Sequence, residues 1–441
     1  MRGFAALRQH LDAVSMLTLF LLACAVPSYL SFTVIGSVGR PSVLVCLLMF
    51  AWWLAHQLQR PFAGHIELQP VRWMLLPFVG VVLASYIGAM FRGLPEAEVS
   101  PADNGLLRVL AWCGLFLVAH DGLRTWEHIV VLVRRVALAG GLMALLGLLQ
   151  FGTKRSLLSW LVIPGMSGDY GGVDQRAGFV RAAGTATHPL EYGAVLSITL
   201  PLAVALAVAD TKRGPVLRWG PAVLIASASI LSVSRSALIA VVIATAVLAA
   251  SWTARQRVIV AGAGTVLFAA VYFLVPGMAG TIVGMFSGAA DDSSVASRVN
   301  GYDVAFGMVQ RLPLFGRGFG TLMPSYVYLD NQYIGVVVEL GLFGLAAVLA
   351  LFIAGIVTPW RARRFSPDRL TEQIGAGVVA SVSAGAVTLT FFDGLAFPLS
   401  SGFLFLVLGA AGAYRRISRA GRAWHAVGGS KAAAHPAEEM P

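Results

Sequence analysis

Residues 189–209 read PLEYGAVLSITLPLAVALAVA, an apolar run in which Glu191 is the single charged residue. A helix needs about 20 consecutive apolar residues to cross the hydrocarbon core of a bilayer. The chain repeats such runs, because 57% of its 441 residues are hydrophobic, 12% are charged and the mean hydropathy is +0.78. These values exclude a soluble enzyme. They also exclude an outer-membrane barrel, whose strands alternate between apolar and polar residues.

Apolar runs between polar breaks predict an all-α fold, a polytopic membrane helical bundle of about twelve transmembrane helices. The first run follows Arg2 and Arg8, as in a signal peptide, but the eleven later runs favour a retained first helix. Residues 1–422 are predicted to form this single domain, and 423–441, which lack apolar periodicity, a disordered cytoplasmic tail. The predicted spans are 14–35, 41–58, 73–91, 106–120, 136–151, 189–209, 220–234, 236–252, 258–275, 330–357, 373–391 and 397–414.

The net charge of +11 resides in short basic clusters between apolar runs, so it predicts topology and not a nucleic-acid partner. With a cytoplasmic N-terminus, 21 of the 32 Lys and Arg residues lie in the inside segments. The positive-inside rule then predicts that both termini are cytoplasmic. Two long loops, 152–188 and 276–329, are predicted outside, and we expect function there. The second loop is predicted to hold an amphipathic helix from Ser294 to Gln310.

Five arginines on the predicted outer side have no carboxylate partner nearby in the sequence, a pattern that favours an anionic ligand. The planar guanidinium donates two parallel hydrogen bonds to phosphate and stays charged when partly desolvated. An alternative for Arg235 is that it extends to the membrane interface, and the loop arginines would then be solvated. The five are Arg181, Arg235, Arg298, Arg311 and Arg317.

Two predicted helix starts carry polar side chains. His188, followed by Pro189 and Glu191, has the pattern of a capped start, and this explains the segment without a ligand, although His188 and Glu191 facing a cavity is the second interpretation. Asp330 is a natural N-cap for the run that contains Asn331, Tyr333 and Glu339. Glu339 lies half a turn away from the face of Asp330, so the two do not form a paired-carboxylate site. At membrane depth it should be paired or face a cavity.

No metal or cofactor is predicted. Cys24, Cys46 and Cys113 lie in apolar runs without metal-ligand spacing. The segment from Gly316 to Gly320 resembles a phosphate loop but lacks the preceding strand and the following Lys.

The ordered motifs resemble the bacterial O-antigen ligase and polysaccharide polymerase superfamily. They are Arg181, Gly184 and Thr185 before His188-Pro189; Ser234-Arg235-Ser236 between two helices; Pro313 to Gly320; and Asp330-Asn331 with Tyr333, continuing to Glu339, Gly341 and Gly344. Their order on the outer side of a twelve-helix chain makes the combination fairly specific.

The resemblance implies a GT-C-like bundle in the bacterial inner membrane that performs inverting, metal-independent glycosyl transfer on the outer face. The donor would be a glycan on undecaprenyl diphosphate, and the acceptor a glycan or lipid-glycan. The family's diphosphate-binding arginines map to Arg181 and Arg235. In the ligase branch a histidine, the proposed general base, begins the helix after the large loop; this sequence has Asp330 there, which favours a polymerase-like or diverged member.

The predicted site therefore assigns Asp330, Arg181 and Arg235 to catalysis. Predicted substrate-binding residues are His188, Glu191, Arg298, Arg311, Arg317, Asn331 and Tyr333. A flippase for lipid-linked oligosaccharides, or another transporter, is the alternative; it predicts discontinuous helices and basic residues along a central path. A metal-dependent glycosyltransferase would carry an acidic pair in the first outer loop, and 36–40 contain none. Composition does not exclude a structural or receptor protein.

Overall fold

A computed structural model describes residues 12–59, 69–168, 174–176, 178–287 and 293–433. Their helices are α1 (Ala13–Ala23), α2 (Pro41–Leu58), α3 (Pro70–Arg92), α4 (Glu96–Gly122), α5 (Trp126–Thr153), α6 (Pro189–Ala209), α7 (Pro215–Leu231), α8 (Arg235–Ala249), α9 (Ala254–Leu274), α10 (Met278–Ser287), α11 (Ser293–Arg311), α12 (Gln332–Ala362), α13 (Arg369–Thr388) and α14 (Pro398–Ala433). Short 3₁₀ turns occupy Gly36–Gly39, Arg363–Phe365 and Gly394–Ala396. The strands are β1 (Ser31–Phe32), β2 (Met166–Ser167), β3 (Asp174–Arg176) and β4 (Phe179–Arg181).

The prediction of an all-α polytopic membrane bundle is confirmed. In the described part of the chain, eight helices are long and apolar enough to cross a membrane: α2, α3, α4, α5, α6, α9, α12 and α13. Three shorter apolar helices, α1, α7 and α8, add to them. Each of the twelve predicted spans overlaps one helix, but the number of crossings stays a prediction.

Helix α6 lies at the centre of the bundle, and 83% of its most apolar 18-residue window is buried. It packs against α5, α7, α8 and α13. Small residues permit these contacts: a Cβ at Gly377 of α13 would meet the Ala205 side chain at 3.0 Å, and one at Gly193 would meet Ala237 of α8 at 3.1 Å. Close backbone approach is the usual means by which membrane helices associate.

The connections that follow α1, α5 and α13 meet at one end of the bundle, which we call the site end. Strand β1 pairs with β2, and Ser28 N donates to Thr185 O at 2.8 Å. Leu399 N, at the start of α14, donates to the Glu191 carboxylate at 2.7 Å. Side chains predicted to bind substrate are thus gathered by contacts between loops that are distant in sequence.

Ion pairs occupy the opposite end. Arg72 contacts Asp121 at 3.3 Å and Arg134 contacts Asp210 at 2.7 Å. These arginines are among the residues assigned to the cytoplasm by the charge count. The assignment of this end to the cytoplasm stays a prediction.

Helix α12 is broken at Gly341, although the sequence predicts one continuous helix over 330–357. Gly341 has φ 68° and ψ −168°, and a Cβ there would lie 2.2 Å from the Leu314 carbonyl oxygen. Arg317 N donates to Val338 O at 3.0 Å, and Leu342 N donates to Pro313 O at 2.8 Å. The loop after α11 thus takes up backbone groups that the break would otherwise leave unpaired in the bundle.

The long second loop is largely helical. Helix α11 confirms the helix predicted from Ser294 to Gln310, and its amphipathic character stays a prediction. Residues 288–292 of this loop lie outside the described residues. The backbone of 423–433 continues α14, while 434–441 lie outside the described residues, so the predicted boundary at 422 stays a prediction.

Candidate functional site

Titratable side chains from two connections, α5 to α6 and α11 to α12, interact electrostatically at the site end. Burial lowers the pKa of His188, Arg181 lowers it further, and the Asp174 and Asp330 carboxylates act in the opposite direction. His188 therefore has both an arginine and Asp330 as electrostatic neighbours. These interactions link three residues that the sequence analysis places in the site: Arg181, His188 and Asp330.

Arg181 lies at the end of a short hairpin in which it pairs with Asp174. Strands β3 and β4 are antiparallel, with Asp174 opposite Arg181. Arg181 Nη1 contacts Asp174 Oδ2 at 2.8 Å. The expectation of an arginine without a carboxylate partner is therefore wrong for Arg181. Asp174 is 44% exposed, so a diphosphate can compete with it for the guanidinium.

His188 caps helix α6, as the sequence predicts. Its Nδ1 accepts a hydrogen bond from Leu190 N at 3.1 Å, which requires that this nitrogen carries no proton. The His188 ring centre lies 6.1 Å from that of Phe397. Nε2 is not used by the cap, so capping and a role in the site are compatible.

Glu191 is fully buried and joins three segments of the site end. One carboxylate oxygen accepts from Thr187 N at 2.8 Å, and the other accepts from Leu399 N at 2.7 Å. Ser28 Oγ also donates to it at 3.4 Å. These bonds show that Glu191 holds the loops together; the predicted substrate contact stays untested.

Asn331, and not Asp330, is the N-cap of α12. Asn331 Oδ1 accepts from Tyr333 N at 3.0 Å and from Ile334 N at 3.3 Å. The expected N-cap role of Asp330 is wrong, because the helix begins one residue later. Asp330 therefore carries a carboxylate at the helix start that capping does not explain.

The turn between α7 and α8 holds Arg235 in a strained backbone. Val233 has φ 50°, in the left-handed region that β-branched residues seldom adopt. Such a conformation costs about 1–3 kcal/mol and is concentrated at functional sites. Ser234 caps α8, and Gly193 of α6 packs against Ala237. The first turn of α8, which begins at Arg235, therefore lies beside Gly193 of α6.

Arg317 is also ion-paired, contrary to the expectation from the sequence. Arg317 Nη2 contacts Glu98 Oε1 at 2.5 Å, and Tyr326 Oη donates to the same oxygen at 2.7 Å. Its guanidinium carbon lies 5.0 Å from the centre of the Tyr326 ring. The loop after α11 is thereby attached to the start of α4, so Arg317 has a structural partner.

The remaining predicted residues differ in placement. Arg311 is exposed in the last turn of α11, and the backbone of Arg298 lies in the same helix. Tyr333 Oη donates to Ala386 O of α13 at 2.7 Å, so its hydroxyl is engaged within the bundle. The backbone of the loop takes up the Glu339 carboxylate, since Gly320 N donates to it at 3.0 Å and Leu322 N at 3.2 Å.

Three residues at the site end were missed by the sequence analysis: Arg40, Arg108 and Asp393. Asp393 follows α13, and although its side chain is exposed, protein surrounds it on most sides. This desolvation raises the pKa of Asp393 to about 6; Asp330 also raises it, and Arg108 lowers it. Asp393 thus has as electrostatic neighbours both Asp330 and Arg108, an arginine that the sequence offered no reason to include.

The arrangement combines a carboxylate at a helix start with guanidiniums that can hold an anion. Such a carboxylate can accept a proton, and such guanidiniums can bind a phosphate group. Within the described residues, no group of three or more His, Cys, Asp and Glu side chains has the geometry to hold a metal ion.

Residues 220–349 match the family model described as O-antigen ligase. The match runs from α7 into α12 and includes Arg235 and Asp330, whereas Arg181 and His188 precede it. A search of curated proteins finds no match to the chain. The family match confirms the resemblance to the O-antigen ligase-related superfamily. It supports, at a coarse level, a multi-pass membrane protein of the O-antigen ligase or polymerase type.

Proposed function

We propose that this chain transfers a glycan from an undecaprenyl-diphosphate carrier to an acceptor hydroxyl, with inversion and without a metal ion. The transfer would occur at the outer face of a bacterial inner membrane. One observation carries the proposal: Arg181, from the same connection as His188, and Asp330, from the connection between α11 and α12, are both electrostatic neighbours of His188 at one end of the bundle. The reaction needs such a combination, because it separates a diphosphate leaving group while a hydroxyl loses its proton.

Arg181 and Arg235 would bind the donor diphosphate. A lipid-linked sugar is already activated, so the protein's main task is to stabilise the negative charge that develops on the departing diphosphate. Removing one preorganised donor at such a position typically costs about 3–4 kcal/mol in the transition state. The ion pair with Asp174 would keep the Arg181 guanidinium oriented until the donor diphosphate replaces the Asp174 carboxylate as its partner.

Asp330 would accept the proton of the acceptor hydroxyl. A carboxylate positioned within hydrogen-bond reach acts as a general base. Its location after the long loop matches the position of the histidine base in the ligase branch. Because this chain has Asp330 there, we assign it to a polymerase-like or diverged member of the superfamily.

Conservative replacement of the arginines tests the proposal. Arg181→Lys and Arg235→Lys keep the charge but lose the planar fork, so each should lower glycan output at least about tenfold. Lipid-linked donor should accumulate in the same cells. Arg155→Lys is the matched control, because Arg155 is exposed in the same long loop. Wild-type glycan output from both variants, at equal expression, would refute the diphosphate role.

The transporter alternative makes a different prediction for the accumulated intermediate. If the chain were a flippase, its loss would leave the lipid-linked glycan in the cytoplasmic leaflet. Loss of a transferase leaves it in the outer leaflet, where an added glycosidase or lectin reaches it. Labelling of intact spheroplasts from a deletion strain therefore separates the two functions.

A further inference from the structure

A cavity of about 250 Å³ at the site end is lined by two arginines from different helices. Arg40 precedes α2, and Arg108 lies in the third turn or so of α4. Ser42, Asn104 and Ser401 add polar groups to the lining. The volume is a little below the roughly 300–1,000 Å³ of small-molecule pockets, which suits one acidic group or one sugar unit.

Within the described chain, neither guanidinium is paired with a carboxylate or donates a hydrogen bond. Nε of Arg40 and Nε of Arg108 are both buried and without an acceptor. The nearest carboxylates are Glu191 for Arg40 and Glu339 for Arg108. Both of these carboxylates accept backbone N–H groups instead. A buried charge without a partner is costly, and two like charges on one cavity add repulsion.

The start of α2 adds a third positive contribution. Arg40 is the N-cap position, and no side chain accepts a hydrogen bond from the first turn. Helix α2 has 18 residues, so its N-terminus carries the positive end of the helix dipole. Ser42 of this first turn lines the cavity. The cavity is therefore arranged for an anion.

Trp112, one turn after Arg108 on α4, contributes an aromatic side chain to the lining, and its partners hold it in place. Trp112 Nε1 donates to Ser401 Oγ at 3.0 Å, and its ring stacks on Phe405 at 5.0 Å. The Arg108 guanidinium carbon lies 5.8 Å from the centre of the Phe319 ring. A fixed aromatic surface beside cationic groups suits a sugar that bears a negative charge.

We propose that this cavity, the Arg40–Arg108 pocket, binds an acidic group of the acceptor, either a phosphate or a carboxylate carried by the glycan. The assignment to the acceptor rests on the proposed function. Asp393 has both Asp330 and Arg108 as neighbours, and Ala396, three residues later, lines the pocket. Arg181 and Asp330 are both electrostatic neighbours of His188. With the donor at Arg181 and Arg235, the pocket beyond Asp393 is left for the acceptor.

Direct binding tests the pocket independently of glycosyl transfer. The full-length protein in detergent is titrated with inorganic phosphate and with glucuronate, with neutral glucose as the control, and binding is followed by thermal shift. Arg40→Gln and Arg108→Gln should each weaken binding of the anions at least tenfold. The matched control Arg155→Gln, an exposed arginine in the long first loop, should bind as wild type. Equal binding by all four proteins would overturn the proposal.

Folding does not confound this comparison. Because each glutamine removes a buried charge that lacks a partner, the unliganded variants should be as stable as wild type or more stable. Arg40→Lys and Arg108→Lys provide a second pair, which keeps the charge but loses the fork, and should show intermediate weakening. Retention of full anion affinity in the lysine and glutamine variants alike would refute the pocket.

Steady-state kinetics test the assignment to the acceptor. Arg40→Gln and Arg108→Gln should raise the KM for an acidic acceptor at least tenfold and leave the KM for the lipid-linked donor unchanged. An acceptor with a phosphate and one with a carboxylate distinguish the two sources of charge. A raised donor KM would overturn the acceptor assignment. If the chain does not transfer glycans at all, the proposed function fails while the anion titration still reports on the pocket.

Discussion

The substitutions Asp330→Asn and Asn331→Ala form a matched pair that separates catalysis from helix capping. Asn331 makes both capping hydrogen bonds, to Tyr333 N and Ile334 N. Asp330→Asn leaves these two bonds in place. Asn331→Ala removes both and should lower the free energy of unfolding by about 0.5–2 kcal/mol.

For the rate of glycan transfer the order is the opposite of that for stability: Asp330→Asn should have the large effect and Asn331→Ala the small one. A general base typically contributes about 10²- to 10⁴-fold to the rate. At about 1.4 kcal/mol per factor of ten, Asp330→Asn should raise the barrier by about 3–5 kcal/mol. Asn331→Ala keeps the carboxylate of Asp330 and should retain most of the activity.

The assay measures transfer by purified protein reconstituted with lipid-linked donor, together with the thermal midpoint of each variant in detergent. Asp330→Asn should be inactive at a near-normal midpoint, whereas Asn331→Ala should be active at a lowered midpoint. If Asp330→Asn keeps more than a tenth of the wild-type rate, Asp330 is not the base. The next residue to replace would then be His188, which is an electrostatic neighbour of Asp330 and whose Nε2 is not used by the helix cap.

Three further predictions concern metal dependence, topology and pH. EDTA should leave transfer intact, and loss of activity that Mg²⁺ or Mn²⁺ restores would refute the metal-free mechanism. Reporter fusions after Gly165 and after Arg364 should report outside and inside; the opposite pattern would invert every assignment to the outer face. Because the pKa of Asp393 is raised from 3.8 to about 6, its ionisation lowers the free energy of unfolding progressively as the pH rises from about 4 to about 6, and the loss is complete above that. Asp393→Asn should therefore raise the thermal midpoint at pH 7.5 and raise it less at pH 5; an equal effect at both values would show that Asp393 titrates normally.

The sequence predicts the helices well because the bilayer requires long apolar runs, and each predicted span overlaps a helix, although the one predicted over 14–35 ends at Ala23. It does not predict the ion pair of Arg181. Strands β3 and β4 have three residues each, too few to show a period of two, and Gly178 adopts φ 81° between them. The partner of a loop arginine thus depends on a turn that leaves almost no pattern.

The cap of α12 illustrates a limit of a different kind. Asp330 and Asn331 are adjacent and rank equally as N-caps. Sequence therefore cannot choose between them, and only the hydrogen bonds to Tyr333 N and Ile334 N decide. The identity of the cap matters for function, because Asn331 makes the capping bonds and the Asp330 carboxylate does not.

Arg40 and Arg108 were missed because each is isolated in sequence. Arg108 lies within a predicted span, where a charge is expensive and usually functional. That position is the signal that could have identified it. Arg40 ends the short turn 36–40, and as the one charged residue of that turn it forms no pattern in the sequence. Their shared cavity arises from packing between α2 and α4, which neither run indicates on its own.

The break in α12 bears on whether the chain is a transferase or a transporter. Discontinuous helices are expected in transporters, and their freed backbone groups usually face the substrate path. Here Gly318 N donates to Glu339 O at 3.0 Å, and Phe343 N donates to Leu314 O at 3.3 Å. The loop after α11 therefore occupies the break itself. Because Asp330 stands at the start of the same helix, the filled break fixes that loop relative to Asp330, as a transferase requires for a stationary base beside its donor.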